Sequence, residues 1–273
     1  MFYFEQINSG VVVARKRGVE EAHGEWILFV DSDDLLLENG VKQLMSLTTV
    51  EDVDIVIGRH EGYLFNTSLL LFPDYLEWDE YLYRLYNKTV FSGACTKLFK
   101  RELINNCPLA FEYNIPRSED ALMNLAIARV NRKKVSICKN TVYYYRKRES
   151  SSAHSFKHTF EYCEKLSLIA DSMVKGLLPA DMELKSGISW RMFYFKKILI
   201  DSNFHVDKHH PFVKGIIHRM DELKMFGLTN RLLLSVPSKT VFNFCMCLSK
   251  LLRAIRNPSL TASEMRLWLF RWK

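Results

Sequence analysis

Over its first half the chain alternates short apolar runs with amphipathic stretches, and then it turns wholly to helical spacing. Residues 26–30 read WILFV, five consecutive apolar positions, and residues 53–57 form a second such run. A strand with one wet face alternates apolar and polar positions, so unbroken runs of this length predict strands covered on both faces. Upstream, residues 9–23 carry helical spacing, and Gly24 is placed to end that helix as a C-terminal cap. Downstream, residues 75–86 predict a second helix and Ser118 the N-cap of a third, while residues 134–138 and 141–146 predict two more strands. This alternation is the signature of an α/β domain.

After the polar stretch RKRESSSAHS at residues 146–155, only helical patterns follow, near residues 156–176, 181–203, 211–225, 239–256 and 262–272. A boundary is therefore expected near residue 152, dividing an α/β domain at 1–152 from a helical region at 153–273. No internal repeat or low-complexity tract interrupts either part.

Composition narrows the class. With 48% hydrophobic and 25% charged residues among 273, the chain can bury a proper core, which excludes wholesale disorder and a disulfide-stapled miniprotein. No apolar run reaches the roughly 18–20 residues that span a bilayer, because the most apolar late stretch is broken by Pro237, Lys239 and Lys250. The first ten residues lack a basic segment followed by an apolar one, so no secretory leader is expected. Six irregularly spaced cysteines without a C-x-x-C fit reduced thiols in a cytosol.

Charge is unevenly placed. Residues 187–273 hold 15 Lys and Arg against 5 Asp and Glu, while the preceding 186 residues hold 23 against 26. The basic balance belongs to the tail. There, Phe242, Phe244, Leu248, Leu251 and Leu252 stand beside Lys239, Lys250, Arg253 and Arg256, and a Trp268, Phe270 and Trp272 set follows among further basic residues. The pattern fits a helix lying on anionic lipid, and it fits a helix packed against a domain nearly as well.

The candidate chemistry sits directly after WILFV, where Asp31-Ser32-Asp33-Asp34 places three carboxylates at the carboxyl end of a buried strand. Open α/β sheets put their ligand crevice at that end. If the chain stays extended, Asp31 and Asp33 point to one side, where a divalent cation would relieve their repulsion. Mg²⁺ commonly takes one or two carboxylates together with substrate phosphate oxygens. Asp and Ser are equally ordinary turn and capping residues, so the spacing leaves both readings open. Ser118-Glu119-Asp120 places two acids in the first turn of a helix, where the dipole favours negative charge by about 0.3–1 kcal/mol. His154 with His158, and His205 with His209, are spaced like ligand pairs, but neither belongs to an H-E-x-x-H pattern.

Taken in order, these residues resemble a known family. Asn8-Ser9-Gly10, Ala14-Arg15, Gly18, Ala22, Gly24-Glu25 and FVDSDD are similar to the opening motifs of family 2 glycosyltransferases with the GT-A fold. Ala94-Cys95-Thr96-Lys97-Leu98-Phe99 with Arg101-Glu102-Leu103 resembles the N-K-L-Y-x-R-x-L segment of that family, Ser118-Glu119-Asp120 its E-D motif, and YYYRKR at residues 143–148 its Y-x-Y-R-x-R strand. Lys16 and Thr96 stand where the family usually has Asn. The family also begins with two strands that hold the nucleotide, and residues 1–6 match neither, so the sequence is expected to start inside the nucleotide-binding half as an N-terminally truncated GT-A domain.

The resemblance implies sugar transfer from a nucleotide-diphosphate donor to a hydroxyl of a saccharide or lipid-linked acceptor, with inversion. It makes Asp120 the general base, Asp33 and Asp31 the holders of Mg²⁺ or Mn²⁺, and Asp31, Arg15, Arg146 and Arg148 the donor-binding set. The expected setting is cytoplasmic, peripheral on the inner face of a bacterial membrane, with no nucleic acid as partner. A noncatalytic remnant or partner subunit, keeping the acidic turn and the basic tail, is the alternative.

Overall fold

A computed structural model of the protein describes residues 2–62, 68–146, 156–223, 228–235 and 237–256. These form two compact units, one of residues 1–156 and 164–190, the other of 157–163 and 191–273. The expected boundary near 152 and the helix expected at 262–272 lie outside the described residues.

The first unit is built on a mixed sheet. In chain order its elements are α1 (Val11–Glu20), β1 (Trp26–Leu28), β2 (Leu35–Leu36), α2 (Gly40–Met45), β3 (Val53–Gly62), β4 (Tyr75–Leu76), α3 (Trp78–Tyr86), β5 (Lys97–Lys100), α4 (Arg101–Asn105), α5 (Glu119–Val130) and β6 (Lys134–Tyr145). The strands run in the order β1-β5-β3-β6-β2, with β4 also on β6. β3 and β6 are parallel, whereas β5 is antiparallel to both β1 and β3. The carboxyl ends of β1, β3 and β6 therefore gather at one end of the sheet, together with the entry to β5. Leu44, Val56, Leu98, Cys138 and Val142 pack the centre, and Trp26 and Leu28 lean on that cluster.

Several expectations are corrected here. The WILFV run gives a strand of three residues, not five, and it pairs only with β5 among the described residues, so Trp26 and Leu28 are half-buried and Val30 is exposed. The helix expected from residue 75 starts at Trp78, because Tyr75 and Leu76 pair with β6 and the Asp74 carbonyl accepts the Ile137 N–H at 2.8 Å. The two strands expected at 134–138 and 141–146 are one strand whose register against β3 shifts between Ile57 and Arg59. Exposed Asn140 made that irregularity look like a break. Gly24 caps nothing: α1 ends at Glu20, and the Ala22 N–H closes on the Val19 carbonyl at 3.2 Å.

In the helical part, α6 (Phe160–Val174), α7 (Ala180–Asp201), α8 (Pro211–Glu222) and α10 (Lys239–Arg256) fall where the spacing put them, and α9 (Leu228–Ser235) was not foreseen. Within the second unit Phe160 stacks on His210 at 4.1 Å, and Phe204 meets Phe242 edge-on at 5.5 Å. Phe244, Leu251 and Leu252 on α10 remain exposed, while Cys245 is buried. No helix among the described residues is long and apolar enough to cross a membrane.

Candidate active site

The site forms where the carboxyl ends of the strands gather, and α1 supplies its cation. Val12 and Val19 are the buried residues of α1, and Arg15 lies between them on the same stripe, so the helix that buries its valines carries a guanidinium inward. Its side chain is only 9% exposed. Nη1 donates to Asp120 Oδ1, and Nη2 donates to Asp31 Oδ1 at 3.2 Å. One guanidinium thus joins the acid after β1 to the acid at the start of α5, as its forked donors allow. Gly10 opens α1 at φ 91°, and a Cβ there would stand 2.8 Å from Asn114 Oδ1, so this entry to the helix favours glycine.

The acidic run does not stay extended. The Asp34 N–H closes on the Asp31 carbonyl at 3.1 Å, so Ser32 and Asp33 form a turn with Asp31 and Asp34 at its two ends. Tyr143, near the end of β6, braces this turn from beneath. Its hydroxyl accepts the Asp31 N–H at 3.1 Å and donates to Asp34 Oδ2 at 2.8 Å, while the Arg146 N–H reaches Asp34 Oδ1 at 2.9 Å. Asp31, Asp34 and Cys95 offer ligand atoms that all lie within 4.8 Å of one another. Asp33 lies in the same turn but outside that trio. Burial pushes the Cys95 thiol up to about 12, and the charges of Asp31 and Asp120 push the same way, so it is a neutral thiol at neutral pH. The oxygen donors of the turn suit a hard divalent cation, and a neutral thiol adds little for one.

Asp120 is fixed from two sides, since its Oδ2 accepts the Ala94 N–H at 3.2 Å while Arg15 holds Oδ1. Ser118 holds the N-cap position of α5 as expected, at φ 69° and with its carbonyl accepting the Leu122 N–H at 3.3 Å, but its side chain makes no cap bond. Burial, helped by the Asp120 and Asp34 charges and opposed by Arg15, raises the Asp31 carboxyl above its ordinary value. Burial works against the Arg15 charge, yet Asp120 and Asp31 outweigh it and hold the guanidinium above its usual value. Glu119 is raised by burial and then by Asp120.

Of the residues singled out in the sequence, Arg15, Asp31 and Asp120 are brought together. Arg146 is exposed and enters through its backbone N–H, and Arg148 and His154 lie outside the described residues. His158 is bonded to Asp201, Nδ1 to Oδ2 at 2.6 Å, inside the second unit. Tyr143, Ala94 and Cys95 were missed as contributors. All three lie in segments whose motif resemblance was noticed, but a hydroxyl under a turn and a backbone N–H leave no mark in spacing.

A mixed sheet whose carboxyl ends meet an acidic turn, faced by a helix-borne carboxylate, is an arrangement of the GT-A fold. Residues 2–107 match the glycosyl transferase family 2 model. It is 26% identical over 192 residues to the glycosyltransferase GlyA of Streptococcus pneumoniae, an alignment covering 63% of this chain and 27% of that protein. It is 29% identical over 140 residues to the poly(ribitol-phosphate) beta-glucosyltransferase of Bacillus spizizenii, covering 51% of this chain and 22% of that one. The chain thus spans only about a quarter of the length of these two relatives. Among solved structures, TarS 1–349 of S. aureus in complex with UDP-GlcNAc aligns with a TM-score of 0.63 at 19% identity, over 89% of this chain and 72% of that one, a likeness of fold. Asp120 lies beyond the matched residues 2–107, so its place in the site rests on geometry.

Proposed function

We propose that this chain transfers a sugar from a nucleoside-diphosphate donor to a hydroxyl acceptor of cell-surface polymer or glycolipid assembly, by direct displacement with inversion. The observation that carries this reading is the Arg15 guanidinium shared between Asp31 and Asp120, which sets a helix-borne carboxylate facing the acidic turn. Asp120 takes the proton of the acceptor hydroxyl, and Arg15 with the Ala94 N–H keeps its carboxylate aimed. A single base on one side of the sugar accounts for inversion. Positioned proton transfer of this kind contributes about 10²–10⁴ in rate.

The carboxylates of the turn would hold Mg²⁺ or Mn²⁺, with Asp31 and Asp33 as the ligands and Asp34 tied by Tyr143 as the brace. Such a cation supplies positive charge for the departing diphosphate. Arg146 and Arg148, at the end of β6 and just after it, would add guanidinium donors to the same phosphates. The known partners of related chains support the donor class, because the aligned TarS structure holds UDP-GlcNAc. The exposed Phe244, Leu251 and Leu252 on α10 support a peripheral membrane contact through which a lipid-linked acceptor would be met.

The test is release of UDP from UDP-GlcNAc and UDP-glucose by the whole chain with Mn²⁺ or Mg²⁺. Asp120→Asn should lower turnover 10²–10⁴-fold, and Asp33→Ala should abolish the dependence on the cation. Turnover of the unaltered chain no faster than that of both variants would sink the catalytic reading and favour the noncatalytic alternative. The anomeric configuration of the product, read by proton NMR, decides inversion.

A further inference from the structure

Between α3 and β5 the chain runs without regular structure through Phe91, Ser92, Gly93 and Ala94. Phe91 and Ser92 are half-buried and Gly93 and Ala94 buried, and a segment of this kind must place its backbone polar groups somewhere. Its three successive carbonyls are served by two side chains that are themselves fully buried, Lys97 and Asn124. Lys97 Nζ donates to the Phe91 carbonyl at 2.7 Å and to the Gly93 carbonyl at 2.5 Å. Asn124 Nδ2 donates to the Ser92 carbonyl at 2.9 Å and, one helical turn back, to the Asp120 carbonyl at 2.8 Å. The next backbone donor, the Ala94 N–H, is the one that reaches the Asp120 carboxylate. Gly93 makes the fold of this segment possible, since a Cβ there would stand 2.3 Å from the Phe91 ring.

A lysine is almost never buried without a charged partner, because its ammonium gives up water for little in return. Here its hydrogen-bond partners are neutral carbonyls, and a hydrophobic residue of the same length would fill the space at less cost. What the ammonium accomplishes is to draw two carbonyls onto one point, which fixes the direction of the amide that follows them.

We propose that Lys97 is a positioning residue of the transfer reaction: its ammonium clamps the 91–93 carbonyls so that the Ala94 N–H stays on the Asp120 carboxylate. This rests on the assignment of Asp120 as the base. Lys97 is fully buried. It acts through the segment, with Asn124 as the second pin.

The experiment uses the full chain and the Lys97→Met variant, which keeps the stem and removes the cation. Two readouts are needed. Hydrogen exchange of a peptide covering residues 91–96 should quicken at least tenfold, while peptides from β3 and the later turns of α5 stay as protected as before. With UDP-GlcNAc and Mn²⁺, kcat should fall at least tenfold and the donor KM should stay within twofold. Unchanged exchange at 91–96 in a folded Lys97→Met protein would overturn the proposal, as would a uniform loss of protection or equal changes in kcat and KM, the marks of a merely structural lysine. If Lys97→Met does not fold, Asn124→Ala puts the same question to the second pin, with the same supporting and opposing results. Asp120→Asn separates the two ideas: full activity in that variant removes the base assignment, whereas loss of activity there beside an unaltered Lys97→Met removes the clamp alone.

Discussion

The carboxylate of Asp31 is held between opposing demands. Burial and the Asp120 and Asp34 charges raise its pKa while Arg15 opposes them. A carboxyl whose pKa is raised by folding binds its proton more tightly in the folded state than in the unfolded one. Its ionisation therefore subtracts stability as pH climbs from the ordinary carboxylate value through the folded one. Asp31→Asn should accordingly raise the urea midpoint of the chain at pH 7–8 and leave it unchanged near pH 3, which equilibrium unfolding at the two pH values would check. A midpoint lowered at neutral pH would mean that the Arg15 pair, and not burial, governs this residue. Tyr143 offers a cleaner deletion. Removing its hydroxyl takes one acceptor from the Asp31 N–H and one donor from Asp34, so Tyr143→Phe should cost about 1–2 kcal/mol of stability. It should also raise the Mn²⁺ concentration needed for half-maximal UDP release. A variant as stable as the parent, with the same metal requirement, would show that the turn holds its shape unaided.

At the level of elements, α1 matters most, because a helix of ten residues brings the site its guanidinium. Gly10→Ala forces a side chain into a positive φ and against Asn114, and should cost about 1–2 kcal/mol. Circular dichroism with a thermal melt would check this; an unshifted melt would show that the entry to α1 adapts freely. The elements that sequence revealed are those with one dominant period. α8 and α10 were readable because burial on one side of a helix writes a repeat into the chain, whereas α5, buried through Ala121–Ala128, was marked by its capping serine and first-turn acids. The acidic residues after WILFV stand at the carboxyl end of a strand, where α/β sheets place a ligand crevice, but they are also ordinary turn formers, so the run by itself left both readings open. The elements that stayed hidden answer to partners far away. β2 and β4 are two residues each and exist only because β6 offers them an edge. The Asp31–Asp34 run could be read as extended or as a turn from its sequence, because its shape depends on a hydroxyl supplied from β6.

The whole molecule sets an acidic first part against a basic helical end. On the reading proposed above, α10 meets an anionic surface through Phe244, Leu251 and Leu252. The chain should then float with vesicles containing phosphatidylglycerol and remain in solution with neutral phosphatidylcholine, and 0.5 M salt, a test concentration of roughly this order, should release it. Replacing the three apolar residues by Ser should abolish flotation without altering UDP release. Flotation that ignores lipid charge would count against the basic tail as its cause.

The brace under the acidic turn has a consequence for how the protein is made. Asp31 and the hydroxyl that shapes its neighbourhood are 112 residues apart in the chain. During synthesis the carboxylates emerge long before β6 does, and through that interval they form only a floppy acidic stretch with no preorganised grip on an ion. On the reading proposed above, competence for chemistry is withheld until β6 is threaded home, so a ribosome-stalled fragment ending before that strand would be inert however well its helices had formed.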